Sequence, residues 1–182
     1  MSYYPKRGIK KMEHVKSITC HLLLNAVILF AVTSEASAAT PDTLRQAHYQ
    51  RCAKPVFYAQ TTNHKKEVEI CIVTPSVSYS FGKVGAESKE MDITVPAQAT
   101  SYAYQSNQVI SIQDFTVRNG DTSYQVSAGS NDSGEPFASL YVYKGTPETG
   151  KLLAEIKLDP NTVANNISHS LANEGVVQSD SL

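Results

Sequence analysis

Residues 67–73 read EVEICIV and residues 77–82 read VSYSFG. In both segments apolar and polar side chains alternate, so the residues at 68, 70 and 72 share one face and the two glutamates and the cysteine share the other. A period of two is that of a β-strand, and one apolar face beside one polar face is typical of an antiparallel sheet. The two segments therefore predict consecutive strands, with the glutamates on the solvent-exposed face.

A similar β-strand pattern continues along most of the chain. Short segments rich in Val, Ile, Tyr, Phe and Thr are separated by clusters of Gly, Pro, Asn and Asp, which is the pattern of successive strands and turns. Eight strands are predicted, over residues 56–61, 67–73, 77–82, 90–95, 109–118, 123–128, 137–143 and 152–158. The expected fold class is mainly β, an antiparallel β-sandwich or barrel of about eight strands with a short N-terminal helix.

The clearest turn signal is Asn119-Gly120, which lies between two of these strands. Asn-Gly tolerates the positive φ angles of a type I′ turn, so the pair predicts a two-residue hairpin. In the preceding strand the isoleucines at 110 and 112 have one parity, whereas Phe115 and Val117 have the other. We therefore expect a β-bulge near residues 113–114, because it would bring both halves onto one apolar face.

Both ends of the domain have weaker signals. Thr40-Pro41 is a helix start, with Thr40 as N-cap and Pro41 at the first helical position, where its missing N–H costs nothing. The residues that follow support two or three turns and would deliver Cys52 to the sheet. Beyond Pro160 the chain becomes polar, and we expect a short helix or a loose tail over residues 161–182.

Residues 1–38 predict a cleavable signal peptide. Five basic residues precede an apolar run over 18–32, and Ala36-Ser37-Ala38 is an A-x-A cleavage site. A retained anchor is the alternative, but about 15 apolar residues is short of the roughly 20 that a bilayer span needs. The β domain would then occupy residues 39–160, periplasmic or secreted. Without the segment the chain has 11 basic and 15 acidic residues, a balance that excludes a typical nucleic-acid binder.

Two cysteines, Cys52 and Cys71, remain once Cys20 leaves with the signal peptide. An even pair in an oxidising compartment predicts a disulfide. Closing a loop of about 20 residues would stabilise the fold by roughly 3 kcal/mol. The alternative is a metal site with two cysteine ligands, for which the sequence shows no third and fourth ligand nearby.

The patterns of catalytic and metal sites are absent from the sequence. The three histidines after residue 38 have no G-x-S-x-G turn or recognisable acid partner, and no H-E-x-x-H or C-x-x-C motif occurs. Residues 130–135 (SNDSGE) have the oxygen donors of a calcium loop, but the composition is also that of an ordinary turn. We predict no catalytic residue, no metal ligand and no cofactor.

Tyrosines are the most suggestive side chains for binding. Tyr102 and Tyr104 lie in the polar stretch 98–108, which has the composition of a loop or sheet edge, so we predict that both are exposed. Exposed tyrosines supply contact area at low entropic cost. Residues 130–136 form a second candidate contact loop, because loops on a rigid sheet are where binding usually occurs.

The arrangement EICIV at 69–73 followed by SYSFGK at 78–83 resembles small exported bacterial β proteins of undetermined function, over residues 52–158. The chain is more loosely similar to periplasmic lysozyme inhibitors in size, export, disulfide use and antiparallel β build. Such inhibitors insert a loop with Ser, Gly and Tyr into the enzyme's cleft. This resemblance implies a partner-binding role for Ser133, Gly134 and Tyr141.

Three functions follow as expectations. The first is an exported binding domain whose partner is a protein of the envelope or the exterior, with an inhibitor of a cell-wall hydrolase such as lysozyme as the most concrete version. The second is an envelope-polymer hydrolase, in which two carboxylates from the wet sheet face, such as Glu67 and Glu69, would work across a cleft. The third is a structural envelope component that pairs through an exposed strand edge.

Overall fold

The computed structural model describes residues 40–107 and 109–180, so the predicted signal peptide and its cleavage site lie outside the described residues. One helix, α1, spans Pro41–Arg51. The strands are β1 Pro55–Gln60, β2 Lys66–Val73, β3 Ser76–Lys83, β4 Met91–Pro96, β5 Thr100–Ser106, β6 Ser111–Asn119, β7 Thr122–Ser130, β8 Pro136–Lys144, β9 Lys151–Lys157, β10 Ala164–Asn165 and β11 Val177–Gln178.

These strands form two sheets. The first has the order β10-β1-β2-β3-β4 and the second the order β11-β5-β6-β7-β8-β9. All neighbours are antiparallel except β11 and β5, which are parallel. The predicted mainly β, sandwich-like class with one short helix is confirmed. All eight predicted strands are present. The long strand β5 is additional, and it was not predicted because its sequence is largely polar.

The core lies between the two sheets and is built by alternation. Val68 and Ile70 of β2 and Phe115 of β6 are completely buried, as are Val126 and Leu140 of the second sheet. Burying an aliphatic or aromatic side chain of this size contributes about 1.5–3 kcal/mol relative to exposure. The alternating segments therefore supply the main driving force for pairing the sheets.

The hairpin between β6 and β7 differs from the prediction by one residue. Asn119 pairs with Thr122, so the two loop residues are Gly120 and Asp121. Gly120 has φ of 62°, whereas Asp121 is not among the residues with positive φ. A positive φ at the first central position alone is that of a type II′ turn, because type I′ needs it at both positions. The expected type I′ turn is thus wrong, because Asn119 extends the ladder instead of turning.

The β-bulge that we expected in β6 is also absent, since the register with both neighbouring strands is unbroken. Phe115 and Val117 face the core. Ile112, of opposite parity, stays half-buried on the outer face. A partly exposed isoleucine is tolerated there, so the strand needs no extra residue to turn it inward.

The C-terminal segment joins both sheets. β10 pairs with β1 and β11 pairs with β5, with a 3-10 helix over His169–Glu174 between them. Ile167, Leu171 and Val176 insert into the core between the sheets. Residues 161–178 are therefore anchored by apolar contacts that a polar composition does not reveal.

Helix α1 packs on the outer face of the first sheet. Thr40 is its N-cap and its side chain accepts a hydrogen bond from the backbone N–H of Thr43, as the sequence indicates. Leu44 packs against Tyr58 of β1 and Ala164 of β10. The predicted disulfide between Cys52 and Cys71 is present and ties the end of α1 to β2. Within the described ranges, no helix has both the length and the hydrophobicity required to cross a lipid bilayer.

Candidate functional site

The outer face of the first sheet is a polar surface built by strand register. Tyr58 of β1, Glu69 of β2, Ser80 of β3 and Asp92 of β4 are successive cross-strand neighbours. Neighbouring residues across a ladder lie on the same side of the sheet. Helix α1 covers one part of this row. The β3–β4 loop covers another part, and it passes so close to Gly82 that a Cβ there would lie 2.7 Å from the backbone nitrogen of Glu90.

Glu67 is buried on this face rather than exposed to water as predicted. Its carboxylate accepts hydrogen bonds from Lys89 Nζ at 2.6 Å, from the Tyr58 hydroxyl at 2.7 Å and from the backbone N–H of Gly85 at 3.2 Å. Burial alone would raise the pKa of Glu67, but these three donors outweigh burial and lower it. The side chain is therefore an ionised partner in a salt bridge.

Glu69 is paired in the same way, by donors from helix α1. Its Oε2 accepts from His48 Nδ1 at 3.0 Å and from Arg51 at 2.8 Å. Burial would raise the pKa of Glu69, and the hydrogen bonds from His48 and Arg51 lower it instead. His48 itself is completely buried and stacks on Tyr58, with ring centroids 5.5 Å apart.

The cleft between α1 and the β3–β4 loop has a volume of about 340 Å³ and contains both glutamates. A glycoside hydrolase needs one carboxyl with a raised pKa to act as the acid beside a second, ionised carboxylate. Here the pKa of each glutamate is lowered, and each is bound to a cation. This geometry disfavours the envelope-polymer hydrolase in which these two residues do the chemistry.

The second sheet presents a different surface at the strands β8 and β9. Leu152 lies opposite Tyr143, and Leu153 is an extra, unpaired residue at an irregularity in the register. The two leucines are 47% and 54% exposed. The rings of Tyr141 and Tyr143 lie side by side, with centroids 6.2 Å apart. We define Tyr141, Tyr143, Leu152 and Leu153 as the β8–β9 patch.

Asp114 lies on the same outer face, in the middle of the second sheet. It is only 7% exposed, and its Oδ1 has no hydrogen-bond partner within residues 40–107 and 109–180. Its other oxygen accepts a long hydrogen bond of 3.4 Å from Gln125. Burial raises the pKa of Asp114, against an opposing hydrogen bond from Ser127. Unlike the glutamates of the first sheet, this carboxyl has no cation bound to it within the described residues.

The predicted exposure of Tyr102 is wrong. Tyr102 is 1% exposed and belongs to the core, and its hydroxyl donates to Gln178 at 3.1 Å. Tyr104 is exposed at the end of β5, where its ring contacts that of His169. Because the stretch is a strand and not a loop, alternate residues share a face, and only the tyrosine nearer the strand end reaches solvent.

The structure also separates the three residues that the lysozyme-inhibitor resemblance groups together. Ser133 and Gly134 are exposed at the β7–β8 tip, where the Asn131 side-chain oxygen accepts hydrogen bonds from the backbone N–H groups of Ser133 and Glu135. Tyr141 is seven residues further along, on the order of 20 Å away in an extended strand. Tyr141 instead contributes to the β8–β9 patch. The doublet Leu152-Leu153 interrupts the alternation of β9 and could have indicated exposed leucines here, but it does not show which side chains lie beside them.

No family model, curated protein or solved structure matches the chain in the comparisons with known proteins. The chemistry of the described surfaces is therefore the basis for a functional proposal.

Proposed function

We propose that the chain is an exported, non-catalytic binding protein that engages a protein of the cell envelope or exterior through the β8–β9 patch. The supporting observation is the contiguous set of two exposed leucines and two adjacent tyrosines on a sheet face. Exposed apolar surface rimmed by polar residues marks protein interaction sites. Tyrosine is enriched among the residues that dominate interface energies.

The surroundings of the β8–β9 patch fit a protein partner. Lys151, Glu155 and Lys157 of β9 are exposed beside it and supply a charged rim of mixed sign. A hydrophobic centre with a polar rim is the usual anatomy of a protein interface. The same charges, together with the irregularity at Leu153, discourage indiscriminate pairing of the β9 edge with other strands. These features support specific binding over a structural role in strand-edge assembly.

Export is part of the proposal and is supported by the signal-peptide pattern and by the disulfide. The basic segment, the apolar run and the A-x-A site in residues 1–38 fit a secretory signal. Disulfides such as Cys52–Cys71 form and persist in oxidising compartments. An inhibitor of a cell-wall hydrolase remains the most concrete form of the proposed function.

Binding by matched variants tests the proposal. Protein recovered from the exported fraction of an expressing cell is immobilised, and the envelope protein that it captures is identified and then titrated. Leu153→Asp should weaken that binding by at least tenfold, because a carboxylate would be desolvated in the interface. Val109→Asp is the control, since Val109 is a 58% exposed valine outside the patch. Equal binding by Leu153→Asp and the wild-type chain would refute the patch.

The hydrolase-inhibitor version has its own test. Lysozyme is assayed on cell-wall substrate with the wild-type chain, Leu153→Asp and Ser133→Lys. Inhibition that is lost only in Leu153→Asp supports the β8–β9 patch. Loss only in Ser133→Lys assigns the contact to the β7–β8 tip and contradicts the patch. No inhibition by the wild-type chain removes lysozyme as the partner.

A further inference from the structure

Helix α1 and strand β2 bring four chemically active side chains together in two facing pairs. His48 and Cys52 are four residues apart, a spacing that places side chains on one face of a helix. Glu69 and Cys71 are two residues apart and share one face of β2. His48 meets Glu69 and Cys52 meets Cys71. Both sulfur atoms and one imidazole nitrogen all lie within 4.8 Å of one another.

The hydrogen bond to Glu69 determines the form of the imidazole. The Glu69 oxygen that His48 contacts also accepts two hydrogen bonds from the Arg51 guanidinium, so it acts as an acceptor, and His48 Nδ1 carries the hydrogen and donates it over 3.0 Å. In the neutral ring the lone pair is then on Nε2. That atom is buried and has no hydrogen-bond partner among the residues that the structure describes. A carboxylate that orients a histidine in this way is the usual arrangement behind metal-binding histidines.

The cysteine pair lies at the wall of a second cleft. It has a volume of about 560 Å³, and Cys52 and Cys71 form part of its wall together with Arg51, Lys54 and Glu69. Both cysteines are buried at the wall of this cleft, with Cys52 2% and Cys71 7% exposed.

We propose that the reduced protein binds one thiophilic divalent cation of the zinc class through Cys52, Cys71 and His48. A dithiol or phosphine supplies two electrons and solvent supplies two protons, which converts the disulfide into two thiols. Each thiol then releases its proton as the cation binds its sulfur. Two thiolates and an imidazole are a ligand set that suits zinc. The disulfide and the metal site are thus two alternative states of the same cysteines.

The structure resolves the alternative that the sequence left open. A metal site with two cysteines had no evident third ligand in the sequence: His48 lies four residues before Cys52, but nothing there places it beside Cys71 as well. The fold supplies that ligand through α1, and Glu69 holds it in the orientation described above. This inference is independent of the β8–β9 patch, which lies on the other sheet.

Titration with Co²⁺ alone, as a spectroscopic substitute for Zn²⁺, tests the proposal. The full-length chain carries Cys20→Ser, so that Cys52 and Cys71 are its two cysteines, and is reduced with a phosphine under anaerobic conditions. We expect one Co²⁺ per chain, a thiolate-to-cobalt charge-transfer band and the intense visible absorption of four-coordinate cobalt. The oxidised chain should show none of these signals. Affinity should rise with pH, because binding releases the thiol protons.

Variants separate the histidine ligand from a nonspecific thiolate site. His48→Gln should weaken Co²⁺ binding at least tenfold, whereas His64→Gln, at an exposed histidine paired with Asp159, should not change it. If His48→Gln does not fold in its oxidised form, Glu69→Gln replaces it, and loss of the orienting hydrogen bond should weaken binding by about 10–100-fold. The proposal is overturned if the reduced chain gives no charge-transfer band, or if the folded variant binds Co²⁺ as the wild type does.

Discussion

The two sheets treat their outer faces in opposite ways. On the first sheet, helix α1 and the β3–β4 loop cover two glutamates, and each carboxylate has a cation and further donors. On the second sheet the outer face has exposed leucines beside half-buried tyrosines, and Asp114 is buried without a cation bound to it in the part of the chain that the structure describes. The first sheet therefore uses buried, paired charges to hold its covering elements, whereas the second sheet leaves apolar surface exposed for contact with a partner.

The largest effect is expected when the cation beside Glu67 in the first sheet is removed. Lys89→Met should destabilise the protein by about 3–5 kcal/mol, because it leaves the buried Glu67 carboxylate without its cation. Urea unfolding at neutral pH measures the loss. Lys66→Met is the matched control, since the Lys66–Glu90 pair lies at the surface and such pairs contribute about 0–1 kcal/mol.

The pH dependence of this first effect has a fixed sign. The pKa of Glu67 is lowered below its ordinary value of 4.5, so its pairing stabilises the fold fully at neutral pH. That stabilisation is lost as the pH falls through the lowered pKa. The wild type and Lys89→Met should therefore converge in stability under acid conditions. A difference that stays constant down to low pH would show that Lys89 stabilises the fold by packing alone.

Asp114 on the second sheet should respond with the opposite sign. Burial raises the pKa of its carboxyl above the ordinary value of 3.8, so the folded state retains a proton that the unfolded chain has already released. Stability therefore falls as the pH rises from about 3.8 through the raised pKa. Asp114→Asn should be more stable than the wild type at neutral pH, by on the order of 1 kcal/mol.

The free energies of unfolding of the wild type and Asp114→Asn are measured by heat or urea at a series of pH values from acid to neutral. The two proteins should have similar stability below the ordinary pKa and should diverge above it. Asp121→Asn is the control at an exposed aspartate of the same strand pair. A wild type that is more stable than Asp114→Asn at neutral pH would mean that Asp114 is paired in solution.

Alternation made the strands predictable, and it also set the limit of prediction. The β2 pattern predicted the correct strand and the correct faces. However, the sequence of a polar face is the same whether that face is exposed to solvent or covered by a helix. Glu67 and Glu69 were therefore placed in solvent, because their partners Lys89 and Arg51 are distant in sequence. Tyr102 shows the opposite error. It was predicted to be exposed because its neighbours are polar, but they form a strand whose inner face packs in the core.

The disulfide and the helix N-cap were predictable because each follows from local chemistry or from counting. The β8–β9 patch and the His48 cluster were not, because both depend on register between elements. Leu152 becomes part of a tyrosine surface only through its pairing with Tyr143. Similarly, His48 becomes a candidate ligand only when α1 lies over β2.

The smallest expected effect on stability concerns the β8–β9 patch. Leu153→Asp should change the free energy of unfolding by no more than about 0.5 kcal/mol, because the side chain is exposed and unpaired in the register. Leu140→Ala, in the core strand beside it, should cost about 2–5 kcal/mol by contrast. Urea unfolding of both variants measures the difference. A large loss in Leu153→Asp would mean that this leucine is needed for folding, and the exposed face of the second sheet would then no longer differ in kind from the covered face of the first.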